Sequence, residues 1–446
     1  MRRAAFITLG CKLNASDTER LKSQFFGRGY RIVPFEEPAD IYVINTCTVT
    51  ERADSDSRQM IRQAIRNKED GSLVVATGCY AQRDPETLSA LQGVDLVLGQ
   101  REKSNLLHYV EERLEQKGVS RKIIVSDNPD LLEFIDFDTR IVGAWRHGAT
   151  PLRTRATLKI QDGCDEHCTF CIVPGVRGRS RSRPLSQILE EARRFVNAGY
   201  REIALTGVNT GLYGKDLEEE VSLLDVVEGL ERIPGIRRIR MNSLEPNYST
   251  LDLIDFAANS EKICRHFHIP LQSGDDTILR RMGRRYGTRD YRDLIETIER
   301  KIPDCCIGAD VMVGFHGEGD PHFENTFRLI EDLPITYLHV FTYSEREGTP
   351  AVRMAGRVHP RVKGERSQRL RELSRKKRKG FHNRFLDRTL DILVEEKKEG
   401  PFLTGLSDNY IRVRLDGKEE WLNEMVPTRI IEVRSEFVYG DPVMAC

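Results

Sequence analysis

Six short runs rich in apolar and β-branched residues recur between residues 152 and 350, each followed by a stretch long enough for a helix. They are Ala156 to Ile160, Glu202 to Thr206, Ile236 to Arg240, His266 to Ile269, Gly308 to Val313 and Tyr337 to Phe341. A strand followed by a helical crossover returns to the same end of its sheet, so successive strands pair in parallel. Six such units are too few to close a full βα barrel, and the pattern predicts an open, partial one. Its chemistry belongs in the loops that follow the strands.

Two further units flank this core. Residues 1–117 read as a Rossmann-like parallel α/β domain, with strand candidates Ala4 to Leu9, Ile41 to Ile44, Leu73 to Ala76 and Val94 to Leu98. Ser16-Asp17-Thr18-Glu19 has the form of a capping box opening a helix in which Leu21 and Phe25 lie one turn apart. Ile61, Ala64 and Ile65 mark a second helix face, and Leu106 to Leu114 a third helix. Residues 118–150 are a mixed connecting segment to which the sequence assigns no firm structure. The core is expected over 150–380. Beyond it, Asp391 to Glu395, Tyr410 to Leu415 and Ile430 to Val433 alternate at strand period, which predicts a small antiparallel β-barrel over 383–446.

Lys+Arg and Asp+Glu both total 69, so any attraction for nucleic acid must come from local patches. One such patch runs from Arg361 to Arg388, with 12 Lys/Arg against 3 Asp/Glu. A basic helix beside a small barrel is a nucleic-acid-binding layout, and its plain alternative is a solvated helix face. Arg177, Arg179, Arg181 and Arg183, and likewise Arg280, Arg281, Arg284 and Arg285, could line an RNA backbone or equally face solvent. With 39% hydrophobic and 31% charged residues, disordered and fibrous classes are excluded. No apolar run is long enough to span a membrane, and Met1-Arg2-Arg3 leads into no convincing cleavage site, so a cytoplasmic protein is expected.

Ten cysteines are too few for a disulfide scaffold, and six of them are organised. Cys164, Cys168 and Cys171 fall within one loop after the first barrel strand. A structural zinc there would need a fourth ligand, and His167 is adjacent to Cys168, a strained position for joint chelation. An iron–sulfur cluster fits better, and a 4Fe-4S cluster held by three cysteines leaves one iron open to bind a substrate. Cys11, Cys47 and Cys79 each follow a strand of the first domain. Parallel strands put all their carboxyl ends on one edge, so the three can meet in a second metal cluster. The competing reading, three unrelated buried cysteines, does not predict equivalent strand ends. Cys264, Cys305, Cys306 and Cys446 have no partner pattern.

The Cys164 loop, Cys-x3-Cys-x2-Cys with the aromatic Phe170 before the last cysteine, resembles that of the radical S-adenosylmethionine enzymes. The resemblance implies that the open iron chelates S-adenosylmethionine, and that one electron cleaves it to a hydrogen-abstracting 5′-deoxyadenosyl radical. It further implies cofactor contacts at Phe170, at Gly207 and Asn209 after the second strand, at Ser243 and Glu245 after the third, at Gln272 after the fourth, and at Asp310 and Val311 along the fifth.

With its separated cysteines and terminal barrel, the whole chain is similar to the methylthiotransferases. That likeness implies two 4Fe-4S clusters, the one on Cys11, Cys47 and Cys79 handling the inserted sulfur. It also implies S-adenosylmethionine as both radical source and methyl donor, and a TRAM barrel at the carboxyl end. Thr8-Leu9-Gly10-Cys11-Lys12-Leu13-Asn14 and Thr206 to Gly214 resemble the MtaB-type branch, which modifies C2 of N6-threonylcarbamoyladenosine beside the tRNA anticodon. Two departures stand out: Ala15-Ser16-Asp17 replaces the usual Gln-Tyr-Glu, and His316 stands where the family has Pro. Implied partners are the tRNA anticodon stem-loop, an electron donor such as flavodoxin or ferredoxin, and a sulfur source. Alternatives are the same chemistry on isopentenyladenosine or a ribosomal-protein aspartate, and, more distantly, a non-catalytic iron–sulfur RNA-binding protein. Formation of 5′-deoxyadenosine separates the last from the rest.

Overall fold

The computed structural model describes residues 1–115, 122–127, 129–130, 133–142, 153–434 and 437–443, so Cys446 lies outside it. Its first sheet has six parallel strands, β1 (Arg3–Thr8), β2 (Arg31–Val33), β3 (Ile41–Thr46), β4 (Leu73–Gly78), β5 (Leu96–Leu98) and β6 (Ile123–Ile124). Their spatial order is β2-β1-β3-β4-β5-β6. Every residue of β3 and β4 is buried, as expected of central strands covered on both faces. One face packs Phe6, Phe25, Val43 and Val75 together, and the other Tyr42, Ile44, Val74 and Tyr80. The strand order reverses between β1 and β3, the switch point where open α/β sheets bind ligands.

The helix after β1, α1 (Lys12–Gly27), starts at Lys12 with Cys11 at its N-cap, so Ser16 to Glu19 do not open it. Ser16, Asp17 and Thr18 are instead buried inside the helix. A capping-box pattern reports only local hydrogen bonding; here Asp17 and Thr18 find partners across the fold, Thr8 Oγ1 donating to Thr18 Oγ1 at 2.7 Å and Lys159 to Asp17 at 2.8 Å. Further helices follow strands of this sheet, among them α2 (Glu51–Asn67), α3 (Cys79–Arg83) and the expected helix over Leu106–Glu115. The connecting segment, to which the sequence assigns no firm structure, joins both neighbours through its described residues. Within it β6 pairs with β5, and Phe137, Ile141 and Val142 are built into the central core.

The central unit carries β7 (Ala156–Lys159), the short antiparallel pair β8 (Gln161–Asp162) and β9 (Arg181–Ser182), then β10 (Glu202–Thr206), β11 (Arg238–Arg240), β12 (His266–His268), β13 (Cys306–Val313) and β14 (Tyr337–Thr342). β11-β10-β7 and β12-β13-β14 form two parallel three-stranded sheets, joined by the isolated parallel bridges Ile239 with Ile263 and Ser243 with His268. The result is the open six-stranded arc that the sequence predicts. Apolar residues such as Ile203, Ile239, Phe267, Ile307 and Leu338 pack with the helices in one core. The alternate residues are polar: Glu202, Arg238, Arg240, His266, His268, Asp310 and His339. Period-2 alternation therefore turns the apolar side to the helices and the polar side to the lumen.

At the carboxyl end, β15 (Thr389–Glu399), β16 (Phe402–Leu406), β17 (Arg412–Leu415), β18 (Met425–Val433) and β19 (Val438–Pro442) close a barrel in the order β15-β16-β17-β19-β18. Among the described residues its β17–β19 pairing is parallel and the other four are antiparallel. This barrel is welded to the central unit: Arg238 donates to the carbonyls of Leu406 and Asp391, and Arg240 to those of Asp408 and Ser407. No helix among the described residues is long and apolar enough to cross a membrane.

Candidate active site

The Cys164 loop is held by backbone geometry that only glycine permits. Gly163 has φ +71°, and a Cβ there would sit 1.8 Å from the Arg179 carbonyl. Cys164 N–H donates to the Gly178 carbonyl at 3.1 Å, closing the loop, and Cys171 N–H donates to the Cys168 carbonyl at 3.1 Å. Between them Thr169 ties the loop to later barrel segments: its N–H reaches the Met282 carbonyl at 2.9 Å and its hydroxyl the Arg281 carbonyl at 2.8 Å. Phe170 leans on Phe315, centroids 6.3 Å apart, in an apolar patch with Ile278, Met282 and Tyr343.

All three cysteines are free thiols and half-buried. Burial, reinforced by the neighbouring cysteine charges, pushes Cys164 up to about 11 and Cys171 up to about 12. Thiolates crowded this way form only when a cation compensates them, so the donor set fits a metal cluster. Arg284 supplies part of that compensation, donating to Cys168 Sγ at 3.2 Å and pairing with Glu245.

The amino-terminal trio gathers at the carboxyl edge of the first sheet. Cys11 follows β1 and is exposed, while Cys47 follows β3 and Cys79 opens α3, both buried. Cys11 and Cys47 flank the switch point. Gly10, at φ +90°, makes room for them, since a Cβ there would lie 2.5 Å from Cys47 Sγ. Burial and the charges of Cys79 and Cys11 push Cys47 up to about 12. Gln100 donates to Cys79 Sγ at 3.2 Å. Crowded reduced thiols at this sheet edge again fit a bound metal cluster.

The two trios share a wall. Cys79 packs with Ile172 and Val176, directly after Cys171. From the same turn Arg177 reaches Asp162 at 2.9 Å and Asp17 at 3.4 Å. Asp17 also accepts from Lys159 at 2.8 Å and Lys103 at 3.1 Å, and all five side chains are at most 5% exposed. Three cations face two carboxylates. Burial opposes the Arg177 charge, but Asp162, Cys79, Asp17 and Cys11 outweigh it and raise its guanidinium well above the usual range. The surplus positive charge thus lies toward the thiols.

Other expected contacts surround the lumen. Gly207 and Asn209 both lie against Gln161, whose Oε1 accepts the Asn209 N–H at 3.0 Å. The Asn209 side chain caps the next turn by accepting from Gly211 N–H at 3.2 Å. Ser243 is exposed and its carbonyl accepts from Thr210. Gln272 bridges to Val311 at φ +63°. Val311 itself points into the core, leaving only its backbone toward Gln272. Asp310 is bracketed by His268 Nε2 at 2.9 Å and His339 Nδ1 at 3.2 Å, and those two imidazoles hold its carboxyl well below the usual range against the opposing effect of burial. Neither histidine is among the residues that the sequence singles out, although the His266-Phe267-His268 alternation already turns His268 to the polar face.

Lys12, directly after Cys11, opens onto the same lumen. Desolvation and the charges of Arg240, Arg155 and Arg153 pull its ammonium down to about 8. Its neighbour Tyr410, from the terminal barrel, stacks on His266 with centroids 4.0 Å apart.

The arginine readings need correction. Arg177 and Arg183 are buried, Arg183 pairing with Glu191 and with Asp136 at 2.6 Å, so neither lines an RNA path nor faces solvent. Alternation in sequence cannot reveal the carboxylates that meet them from other elements. In the basic helix Pro360–Asn383 much of the charge is also consumed. Arg366 pairs with Glu318 and Asp320, Arg369 with Glu324, and Lys377 bonds the carbonyls of Glu331 and Leu333. Arg371, Arg375 and Lys379 remain exposed at four-residue spacing, with Lys376 beside them.

Comparison with known proteins agrees with this architecture. Residues 158–330 match the Radical SAM superfamily, and residues 3–99 match Uncharacterized protein family UPF0004. The chain is 39% identical to the threonylcarbamoyladenosine tRNA methylthiotransferase MtaB of Bacillus subtilis, over 97% of this chain and 94% of that protein. It is 31% identical to the tRNA-2-methylthio-N(6)-dimethylallyladenosine synthase of Clostridium tetani, over 98% and 95%. Among solved structures, the radical S-adenosylmethionine methyltransferase TsrM from Kitasatospora setae superposes with a TM-score of 0.56 at 13% identity, covering 78% of this chain and 74% of that one, a likeness of fold.

Proposed function

The chain belongs to the radical S-adenosylmethionine methylthiotransferases that act on tRNA, and on that premise we propose that it inserts a methylthio group at C2 of N6-threonylcarbamoyladenosine next to the anticodon. The observation that carries the reading is the shared wall between two cysteine trios, each at the carboxyl edge of its own parallel sheet. Nearly full-length identity of 39% to a relative named for that nucleoside favours it over the isopentenyl-type substrate, whose named relative stands at 31%.

Cys164, Cys168 and Cys171 would hold the 4Fe-4S cluster of the radical enzyme, and Cys11, Cys47 and Cys79 a second cluster serving sulfur transfer. When bound, the first cluster with S-adenosylmethionine supplies one-electron cleavage to a hydrogen-abstracting radical, and the second supplies sulfur. The protein's own part is positioning. Arg284 orients Cys168 and Glu245 together, and Thr169 fixes the loop to its neighbours. Gly10 clears space beside Cys47. The polar lumen, with His268, Asp310 and His339 along one side, gives a base somewhere to enter without displacing a packed core. An unactivated ring C–H must be aimed closely, and a site assembled from three domains can supply that restraint. On the outside, Arg371, Arg375, Lys376 and Lys379 offer a cationic stripe for the stem-loop backbone.

Mass spectrometry of tRNA nucleosides from cells with and without the gene tests the reading. The 2-methylthio derivative of N6-threonylcarbamoyladenosine should vanish on deletion while the unmethylthiolated nucleoside accumulates. Loss of methylthio-isopentenyladenosine instead would reassign the substrate.

A further inference from the structure

We propose that the Lys12 ammonium binds the carboxylate of the N6-threonylcarbamoyl group and thereby selects this nucleoside over adenosines with neutral N6 substituents. The inference rests on the substrate reading above and adds the residue that recognises it.

Three observations converge on Lys12. It is exposed to the lumen, immediately beyond Cys11 at the start of α1. Its one hydrogen bond among the described residues goes to a neutral group, Asn242 Oδ1 at 3.3 Å, and the Tyr410 ring lies 6.0 Å away. An ammonium offers more donors than that single bond uses. Arg240 and Arg155 beside the lumen are already paired with Glu202 and Glu395, whereas Lys12 has no ion pair among the described residues.

The carboxylates nearby are already matched. Glu202 is 2.7 Å from Arg240, Glu395 is 2.7 Å from Arg155 and 2.8 Å from Arg412, and Asp310 sits between two histidines. Lys12 is left with a neutral amide as its one hydrogen-bond partner among the described residues. A partly enclosed charge in that state favours an incoming anion and penalises an apolar one. The geometry of the substrate fits. In adenine C2 and C6 both flank N1, so a base that presents C2 to the Cys11 trio presents its N6 substituent to the same edge. A threonyl carboxylate on that substituent supplies the missing charge; a branched alkyl group cannot.

The test is anaerobic equilibrium binding, without reductant, of the cluster-loaded full chain to synthetic anticodon stem-loops. The loops carry N6-threonylcarbamoyladenosine, its methyl ester, isopentenyladenosine or adenosine. Wild type should bind the acid about tenfold or more tightly than the ester, the range expected of one charge-assisted hydrogen bond. Lys12→Met should bind acid and ester within about twofold of each other, and Lys12→Arg should restore the difference. Should Lys12→Met not hold its clusters, Lys12→Gln, which keeps a bond to Asn242 within reach, replaces it. A Lys12→Met chain that still prefers the acid over the ester overturns the assignment while leaving the substrate reading intact. Wild type that prefers isopentenyladenosine overturns the substrate reading and this inference with it.

Discussion

Replacing Asp17 by Asn keeps the size of the side chain but removes the charge at the centre of the buried network between the first domain and the arc. Asp17 faces Lys159 at 2.8 Å, Lys103 at 3.1 Å and Arg177 at 3.4 Å; without it Lys159 and Arg177 keep Asp162, and Lys103 loses its ion-pair partner. Removing one partner of a buried ion pair costs about 3–5 kcal/mol. Burial already lowers the Lys103 ammonium, so it can shed its proton, and the loss should fall near the lower end. With an m-value of about 2–3 kcal/mol/M, the urea midpoint of the apo-protein should drop by roughly 1–2 M at neutral pH. The pH dependence has a definite sign. The three cations hold Asp17 far below the usual carboxylate range, so its contribution is fully present above about pH 4 and lost as pH falls further. Asp17→Asn should therefore flatten the acid limb of the stability profile. A midpoint within about 0.2 M of wild type at neutral pH would refute the reasoning.

Anaerobically reconstituted wild type should carry about eight iron per chain, and the Cys164, Cys168 and Cys171 triple alanine variant about half, which iron analysis reads directly; retention of all or none contradicts two separate sites. Arg284→Met removes a hydrogen bond and a positive charge from Cys168, so the barrel cluster should titrate at a more negative potential by electron paramagnetic resonance, with activity down about 10–100-fold. His382 is pulled down to about 4 by burial and by Arg378, so the apo-protein should lose up to about 3 kcal/mol as pH falls from about 6.5 to 4. His382→Gln should remove that slope in pH-dependent denaturation, and an unchanged slope would count against it. Replacing Arg371, Arg375 and Lys379 by Ala should lower the salt slope of stem-loop binding by about 0.7–0.9 for each phosphate no longer neutralised, with no effect on the denaturation midpoint.

The strand pattern was legible because burial on parallel sheets leaves short apolar runs, and the cysteines because they fall at strand ends. What the sequence concealed was paired charge. Arg177, Arg183 and Arg366 look like surface arginines in a one-dimensional reading, and only the fold brings Asp162, Glu191 and Glu318 to them. The start of α1 was hidden for a related reason: Ser16 to Thr18 have the chemistry of a cap, yet Asp17 and Thr18 find partners on other elements. For the terminal barrel, the sequence showed three of its five strands, missing Phe402–Leu406 and Val438–Pro442, and not that Arg238 and Arg240 anchor it through four backbone carbonyls. Removing the barrel would strand those cations, so point changes on the exposed stripe probe RNA binding more cleanly than truncation. The lumen histidines were readable in principle, as polar positions alternating with Phe267 and Leu338.

The division of labour between the two cysteine trios is tested most directly by the Cys11, Cys47 and Cys79 triple alanine variant. Reduced and given S-adenosylmethionine and an anticodon stem-loop bearing N6-threonylcarbamoyladenosine, it is assayed by mass spectrometry for 5′-deoxyadenosine and for the methylthiolated nucleoside together. The expected result is that 5′-deoxyadenosine still forms, because Cys164, Cys168 and Cys171 are intact, while the methylthiolated product is lost. Methylthiolated product from that variant would contradict the division.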